Sequence, residues 1–265
     1  MGKILLAALL FLSPMVFLTS SAWAGGVDDL KAGEDAFYAG NCDEAIRLYT
    51  KAIVSGELSR VQLREAYCDR GYTWWLGKGD YDKAIADYTK AIEIDPKYAD
   101  VYYDRGDVWY DKGDYDKAIA DYTKAIEINP KLIPAYKHLG DAWREKGYYD
   151  KAIASYTKAI EIDPNPKYAA AYDSLAWLMA TCPIDKYRDG RRAVDLAEKA
   201  LKSRETAARL DILAAAYAEV GRFQEAINTQ ERAIAKLKKD GNTKAIAEWE
   251  KHLASYKAGK PWREK

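Results

Sequence analysis

Few residues in this chain have the types and spacing that an active site requires. The only histidines, His138 and His252, lie far apart in the sequence. Two isolated histidines supply neither a metal-ligand set nor a general acid–base pair beside a nucleophile. Carboxylate pairs such as Asp28–Asp29 fall at predicted helix starts, where their negative charge interacts favourably with the helix dipole. The glycines occur singly and do not form a phosphate-binding loop. The sequence therefore predicts no enzyme, no cofactor and no metal site.

The three cysteines, Cys42, Cys68 and Cys182, cannot all pair because their number is odd. Cys42 is expected to begin one helix, and Cys68 to lie near the start of the antiparallel helix that follows. That arrangement would place them at opposite ends of a helix roughly 15 Å long, beyond the reach of a disulfide. Cys182 lies much further along the chain. We therefore predict three free thiols.

An internal repeat sets the positions of all these residues. The segment GDYDKAIADYTKAIEIDP at 79–96 returns as GDYDKAIADYTKAIEINP at 113–130 and as GYYDKAIASYTKAIEIDP at 147–164. A period of 34 residues is typical of a solenoid built from helix pairs. Repeats of this kind build surfaces for partners, so the sequence indicates a class of activity without naming a ligand.

One copy of the repeat, 99–132, predicts two helices packed face to face. Small and aromatic residues recur in it at spacings of four and three, which places each set on one face of a helix. Gly113–Asp114 forms the turn, because glycine can take a positive φ and aspartate can cap the next helix. Asn129–Pro130 ends the second helix, since a residue before proline is pushed out of the α region. The two faces consist of Tyr102, Gly106 and Trp109, and of Ala118, Tyr122 and Ala125.

This order of aromatic, small and proline positions in 99–132 and 133–166 resembles the tetratricopeptide repeat. The resemblance implies an all-α fold, a right-handed α-solenoid of helix-turn-helix repeats closed by a C-terminal capping helix. One extra residue near 77–79 and a five-residue expansion in the fifth repeat are both expected at the turn within a helix pair. The six repeats are expected at 26–59, 64–98, 99–132, 133–166, 169–206 and 207–240, followed by a capping helix over 243–258 and a loose tail over 259–265.

The first 24 residues differ from the repeats. Lys3 precedes an apolar stretch over 4–18, and Ala22-Trp23-Ala24 is a small-x-small cleavage pattern. This pattern is typical of a secretory signal peptide cut after Ala24, which predicts a periplasmic or secreted protein. The alternative is an uncleaved anchor, although Pro14 interrupts the stretch and its length is short for a membrane span.

The charge balance argues against nucleic acid as a partner. The chain carries 41 basic and 41 acidic residues, and no helical face combines a run of Lys or Arg with aromatic residues, as nucleic-acid binding usually requires. After signal cleavage the sequence predicts no further membrane span. A protein or peptide partner is the remaining expectation, with self-association as a further possibility.

In tetratricopeptide proteins the first helix of each pair lines a concave groove, so the resemblance implies which residues meet a ligand. The central groove is expected to be aromatic and acidic and to suit a basic or mixed segment with apolar anchors. The Lys and Asn positions with which some family members hold a terminal carboxylate are occupied here by Asp and Tyr. The predicted groove residues are Asp69, Tyr72 and Trp75 in repeat two, Tyr103, Asp104, Asp107 and Tyr110 in repeat three, Lys137, Asp141 and Arg144 in repeat four, and Asp173 and Trp177 in repeat five, with Cys68, Asp100 and His138 beside them.

Three functional classes stay open at this point. The first is a protein–protein interaction scaffold that binds a peptide or partner protein in the groove, in the cell envelope. The second is a self-assembling spacer whose contacts lie at the repeat ends or on the convex face. The third is an accessory subunit of an envelope complex in which another chain supplies the chemistry.

Overall fold

The computed structural model describes residues 25–165, 169–242 and 244–264. Within these ranges the secondary structure is helical and contains no strand. The predicted signal segment, 1–24, lies outside the described residues. The helices are α1 Gly26–Tyr38, α2 Cys42–Val54, α3 Arg60–Tyr72, α4 Tyr81–Ile94, α5 Ala99–Asp111, α6 Tyr115–Ile128, α7 Ile133–Glu145, α8 Tyr149–Ile162, α9 Ala170–Thr181, α10 Gly190–Ser203, α11 Ala207–Glu219, α12 Phe223–Lys239 and α13 Ile246–Lys257.

Short turns make the two helices of a pair antiparallel. Gly113 takes a φ of +83° after α5, a conformation that glycine adopts without steric cost. The side chain of Asp114 then accepts a hydrogen bond from the backbone N–H of Lys117 and caps α6. Asn41 and Asp80 cap α2 and α4 in the same way. The turn sequence therefore fixes where each second helix begins.

The first helices of successive pairs form the inner layer of the stack. Neighbouring first helices contact one another, as α5 does α7 and α9 does α11, whereas the second helices of neighbouring pairs approach one another less closely. A stack whose first helices lie closer together curves toward them. The chain is therefore an all-α solenoid, as predicted, with the first helices on its concave side. In the described ranges, no helix has both the length and the apolar character needed to cross a membrane.

In the first four pairs, a tyrosine on the second helix fills the space beside a glycine on the first. Tyr122 is fully buried, and a Cβ atom at Gly106 would lie only 2.7 Å from its Cε1 atom. Gly140 faces Tyr156 with the same closeness. Glycine is required here because the ring occupies the volume that any side chain would need, which confirms the predicted packing role of Gly106.

The second repeat differs from the prediction in two ways. Its first helix begins at Arg60 rather than 64, because Ser59 and Gln62 form a reciprocal capping box. The extra residue is absorbed by a π-helical turn over Thr73–Gly77 and not by the loop. Cys68 therefore lies well inside α3, so the prediction that it stands near the helix start is wrong. All three cysteines are free.

The segment after α13 was predicted to be a loose tail, and for residues 260–264 this is wrong. These residues run back over the ends of α11 and α9, where the backbone N–H of Glu264 donates to the carbonyl oxygen of Thr181 at 3.0 Å. Trp262 packs against the largest buried cluster of the protein. We call Lys260–Glu264 the returning segment.

Candidate functional site

The predicted groove residues share a common register on the first helices. Counted from the small residue of each pair, they stand three or two residues before it, one after it, or four after it. Tyr72 is 40% exposed and the other predicted residues are half-buried. Trp75 lies in the π turn that continues α3. The small residues that define this register are Gly71, Gly106, Gly140 and Ala176.

Asp107 is the centre of a hydrogen-bond network that links repeats three and four. Tyr122 donates its hydroxyl to Oδ1 of Asp107 at 2.7 Å, and Nδ1 of His138 lies 2.7 Å from the same oxygen. Nε2 of His138 lies 3.4 Å from the hydroxyl of Tyr103. Burial, followed by the charge of Asp107, raises the pKa of Tyr122, so its hydroxyl stays a donor. Asp107 is therefore already satisfied by the protein.

Two further predicted carboxylates are also paired. Asp141 accepts from the hydroxyl of Tyr156 at 2.7 Å and lies 2.7 Å from the amine of Lys137. Asp173 pairs with Arg209, whose Nε atom lies 3.1 Å away. In repeats four and five the acidic groove positions are thus neutralised by neighbouring side chains.

Asp69 and Asp104 are different. Neither carboxylate has a hydrogen-bond or ion-pair partner among the residues that the structure describes. Burial raises the pKa of each to about 7, and the nearest like charge adds to the effect, from Glu34 for Asp69 and from Asp107 for Asp104. The two occupy the same register position in adjacent repeats. Repeats two and three therefore present two unpaired carboxyl groups at the groove, which ionise fully only above about pH 7.

Aromatic rings lie beside Asp69. Phe37 and Tyr72 meet edge to face with their centroids 5.6 Å apart, and Tyr72 and Trp75 meet at 6.0 Å. The rings of Phe37 and Tyr72 lie on α1 and α3 and border a cavity of about 410 Å³. The residues that line it are Glu34, Phe37, Tyr38, Tyr49, Asp69 and Tyr72.

Repeat one also contributes residues to the groove, which the sequence did not predict. Glu34 and Phe37 were not among the predicted groove residues, although they stand one and four positions after Gly33, as Asp107 and Tyr110 do after their own glycine. Their spacing from Gly33 would have been sufficient to identify them from the sequence. The groove therefore begins one repeat earlier than predicted.

Both histidines are paired with aspartate. His138 bonds Asp107, and His252 is buried with its Nδ1 atom 2.8 Å from Oδ1 of Asp211. Across the described ranges, no group of three or more His, Cys, Asp or Glu side chains is placed to hold a metal ion. These histidines bridge neighbouring helices.

At repeats five and six the groove is occupied by the returning segment. The indole N–H of Trp177 donates to Oε1 of Glu264 at 2.5 Å. Glu264 also faces a cavity of about 550 Å³ together with Arg144. Trp177, a predicted groove residue, therefore contacts a segment of the chain itself, and Arg144 lies across a cavity from it.

Four segments of the chain match known repeat families: residues 77–111 match a TPR repeat, and residues 99–132, 133–166 and 206–239 match the tetratricopeptide repeat. Among solved structures, the chain is similar to PilF of Pseudomonas aeruginosa with 17% identity over 89% of this chain and 97% of that chain, at a TM-score of 0.65. It is also similar to MamA of Desulfovibrio magneticus RS-1 with 18% identity over 67% of this chain and 94% of that chain, at a TM-score of 0.57.

Identities this low support the fold alone, and among curated proteins none matches the chain significantly in sequence. The matches over 99–132, 133–166 and 206–239 nevertheless coincide with three of the helix pairs described above. Tetratricopeptide repeats are in general scaffolds for protein contacts rather than enzymes. The chain therefore contains tetratricopeptide repeats within residues 77–166 and 206–239.

Proposed function

We propose that this protein is an interaction scaffold whose groove at repeats one to three binds an extended segment of a partner protein. The observation that carries this proposal is the pair of uncompensated carboxylates, Asp69 and Asp104, beside the aromatic rings of Phe37, Tyr72 and Trp75. A partner segment that carries basic residues next to apolar or aromatic anchors complements both features.

A basic residue of the partner supplies the positive charge that Asp69 and Asp104 lack within the folded protein. An ammonium or guanidinium group near Asp104 favours the ionised carboxylate, and hydrogen bonds to charged groups contribute about 1.5–3 kcal/mol each. Packed helices lie roughly 10 Å apart, and an extended chain advances about 3.3 Å per residue. Two basic residues at least three positions apart in the partner are therefore needed to reach Asp69 and Asp104 together.

The test is a crosslinking pull-down from envelope extract with the unaltered chain and an Asp69→Asn/Asp104→Asn variant. The matched control is Asp82→Asn/Asp116→Asn, which removes the same charge from second-helix side chains that are 82% and 80% exposed. We expect the groove variant to lose a partner that the control retains. Captured partners that are identical for all three proteins would refute groove binding and favour contacts at the repeat ends or the convex face.

A titration extends the test once a partner is captured. Because the pKa of Asp69 and of Asp104 lies at about 7, both carboxylates become protonated as the pH falls from 8 to 6. A basic segment should therefore bind more weakly at pH 6 than at pH 8, and the Asn variant should lose this dependence. An affinity that is equal at both pH values would contradict the role of the two carboxylates.

The proposed site of action is the cell envelope or the outside of the cell. The support is the sequence of residues 1–24, with its basic start, apolar stretch and Ala22-Trp23-Ala24 pattern. Fractionation followed by amino-terminal sequencing is the test. A mature protein that begins at Gly25 would support export with cleavage, whereas an intact chain in the membrane fraction would indicate a retained anchor.

A further inference from the structure

The returning segment crosses the groove as an extended peptide would. It leaves α13 through Gly259, whose φ is +68°, and a hydrogen bond of 3.0 Å from the N–H of Lys260 to the carbonyl oxygen of Ser255 closes that turn. From there it reaches first the end of α11 and then the end of α9. It therefore passes over the concave layer of first helices from the capping helix toward repeat four.

Its first anchor is an aromatic side chain. The ring of Trp262 contacts the ring of His252 in a tilted arrangement, with centroids 4.5 Å apart. It also packs against the buried cluster formed by α8 to α13. His252 is itself held by Asp211. The slot for this ring is therefore built and fixed by other parts of the protein.

Its second anchor is a cation. Nη2 of Arg263 lies 2.6 Å from Oε2 of Glu219, as an ion pair, and Nη1 donates to the carbonyl oxygen of Ala180 at 3.3 Å. Both acceptors stand at the C-terminal end of a helix, where the dipole also favours positive charge. Glu219 is 13% exposed and receives a second cation, Arg188, at 3.0 Å from the expanded loop of repeat five.

Its third anchor is a carboxylate combined with a main-chain contact. Oε1 of Glu264 accepts from the indole of Trp177 at 2.5 Å, and the backbone N–H of Glu264 donates to Thr181 at 3.0 Å. Thr181 is the last residue of α9, so its carbonyl has no acceptor role within the helix. Side chains thus select the sequence of the segment while main-chain contacts hold its path.

The groove continues on both sides of this segment. A cavity of about 560 Å³ opens beside Trp262 between Trp177 and Trp249. A second cavity, of about 550 Å³, opens beyond Glu264 next to Arg144 and Tyr149. The returning segment therefore fills only the middle of a longer surface, and a longer peptide on the same path would make contacts that it cannot.

We propose that the returning segment is an internal stand-in for a partner, and that the surface of α9, α11 and α13 binds an extended segment of another protein. That segment presents an aromatic residue, a cation and a carboxylate in succession, and it replaces Trp262, Arg263 and Glu264. A tethered segment competes at an effective concentration on the order of millimolar. While the returning segment is bound, a free partner can bind only those molecules whose site is open. Its apparent affinity therefore falls in proportion to the open fraction.

This inference rests on the proposed function, because it too takes the concave groove as the working surface. The probe is a synthetic peptide, acetyl-KPWRE-amide, labelled with a fluorophore and followed by anisotropy. The proteins are the full unaltered chain and the full chain with Trp262→Ala and Arg263→Ala, which releases the segment. We expect the released protein to bind the peptide at least tenfold more tightly than the unaltered chain.

Two controls locate the binding. A peptide with Ala at the Trp position and Glu at the Arg position should bind the released protein at least tenfold more weakly. Trp177→Phe in the released protein removes the indole donor and reduces the ring that contacts His252. This change should also weaken binding several-fold. A second released protein, Trp262→Ala alone, empties the aromatic slot but keeps the ion pair of Arg263 with Glu219. It serves if the first does not give the helical circular dichroism of the unaltered chain.

The proposal is overturned if a folded released protein does not bind the peptide at millimolar concentration, or if it binds no better than the unaltered chain. Equal binding of the control peptide would also overturn it. The result is separable from the proposed function, because Asp69→Asn/Asp104→Asn should leave peptide binding unchanged within about twofold. Loss of peptide binding with retained partner capture at those carboxylates would remove this inference alone.

Discussion

Arg105 forms a buried set of hydrogen bonds that joins repeats two and three, and we expect these bonds to stabilise the groove. Arg105 donates from Nε and Nη2 to the two carboxylate oxygens of Asp121, each at 2.8 Å, and from Nη1 to Oγ1 of Thr89 at 2.9 Å. Arg105 and Asp121 are only 19% and 9% exposed. At the equivalent positions of repeat four the chain carries Leu139 and Ser155. Repeat four therefore shows which residues replace the pair without loss of the fold.

The magnitude follows from burial and geometry. Arg105→Leu removes two hydrogen bonds to a charged acceptor and leaves the carboxylate of Asp121 buried and unpaired, which costs about 3–5 kcal/mol of the free energy of unfolding. Asp121→Ser leaves the guanidinium with Thr89 alone and should cost a similar amount. The double variant removes both charges and installs the residues of repeat four, so we expect it to lie within about 1–2 kcal/mol of the unaltered chain.

A double-mutant cycle by urea unfolding measures the coupling, with circular dichroism and tryptophan fluorescence as two probes whose coincidence tests for a single transition. Lys112→Ala is the control, because its pairing with Asp82 is exposed and should contribute less than about 1 kcal/mol. Single variants that each cost less than 1 kcal/mol, or a double variant that costs the sum of the two, would refute the reasoning.

Two other perturbations test the groove wall. Because the pKa of Asp104 is about 7 in the folded chain and about 4 when unfolded, the folded chain binds this proton more tightly and loses stability as the pH rises from about 4 to 7. Asp104→Asn should therefore raise the free energy of unfolding at pH 8 by up to about 4 kcal/mol. At pH 4 the change should be small, and equal effects at both pH values would contradict this. Gly106→Ala places a methyl group 2.7 Å from Cε1 of Tyr122 and should lower the free energy of unfolding by about 1–3 kcal/mol. Urea unfolding should show this as a lower midpoint, and an unchanged midpoint would show that the ring can move.

The repeat pattern was sufficient to predict the helix pairs and their packing. The spacing of Gly106, Trp109 and Tyr122 specifies two faces that can meet only one way, and Gly113–Asp114 specifies the turn between them. These features are local, because every determinant lies within one repeat of 34 residues. The irregular second repeat was harder to predict from the sequence. An added residue can enter either a loop or a helix, and the π turn over Thr73–Gly77 depends on packing against α2 and α4.

The candidate site was likewise only partly predictable from the sequence. The register of the first helices placed most groove residues from the sequence, but it did not show which of them are free to meet a partner. Asp104 and Asp107 are the same residue type on one helix, yet Asp107 receives Tyr122 and His138 from two other helices while Asp104 is left uncompensated.

The sequence by itself determined the repeat, the helix pairs and the layer that forms the groove, since periodic small and aromatic residues act over short distances along the chain. The tertiary structure alone decided which groove carboxylates stay unpaired and that residues 260–264 lie across repeats five and six. Those outcomes depend on contacts between residues far apart in sequence, such as Trp177 with Glu264 and Glu219 with Arg263. No periodicity records such contacts, because they form only when the stack brings distant helices together.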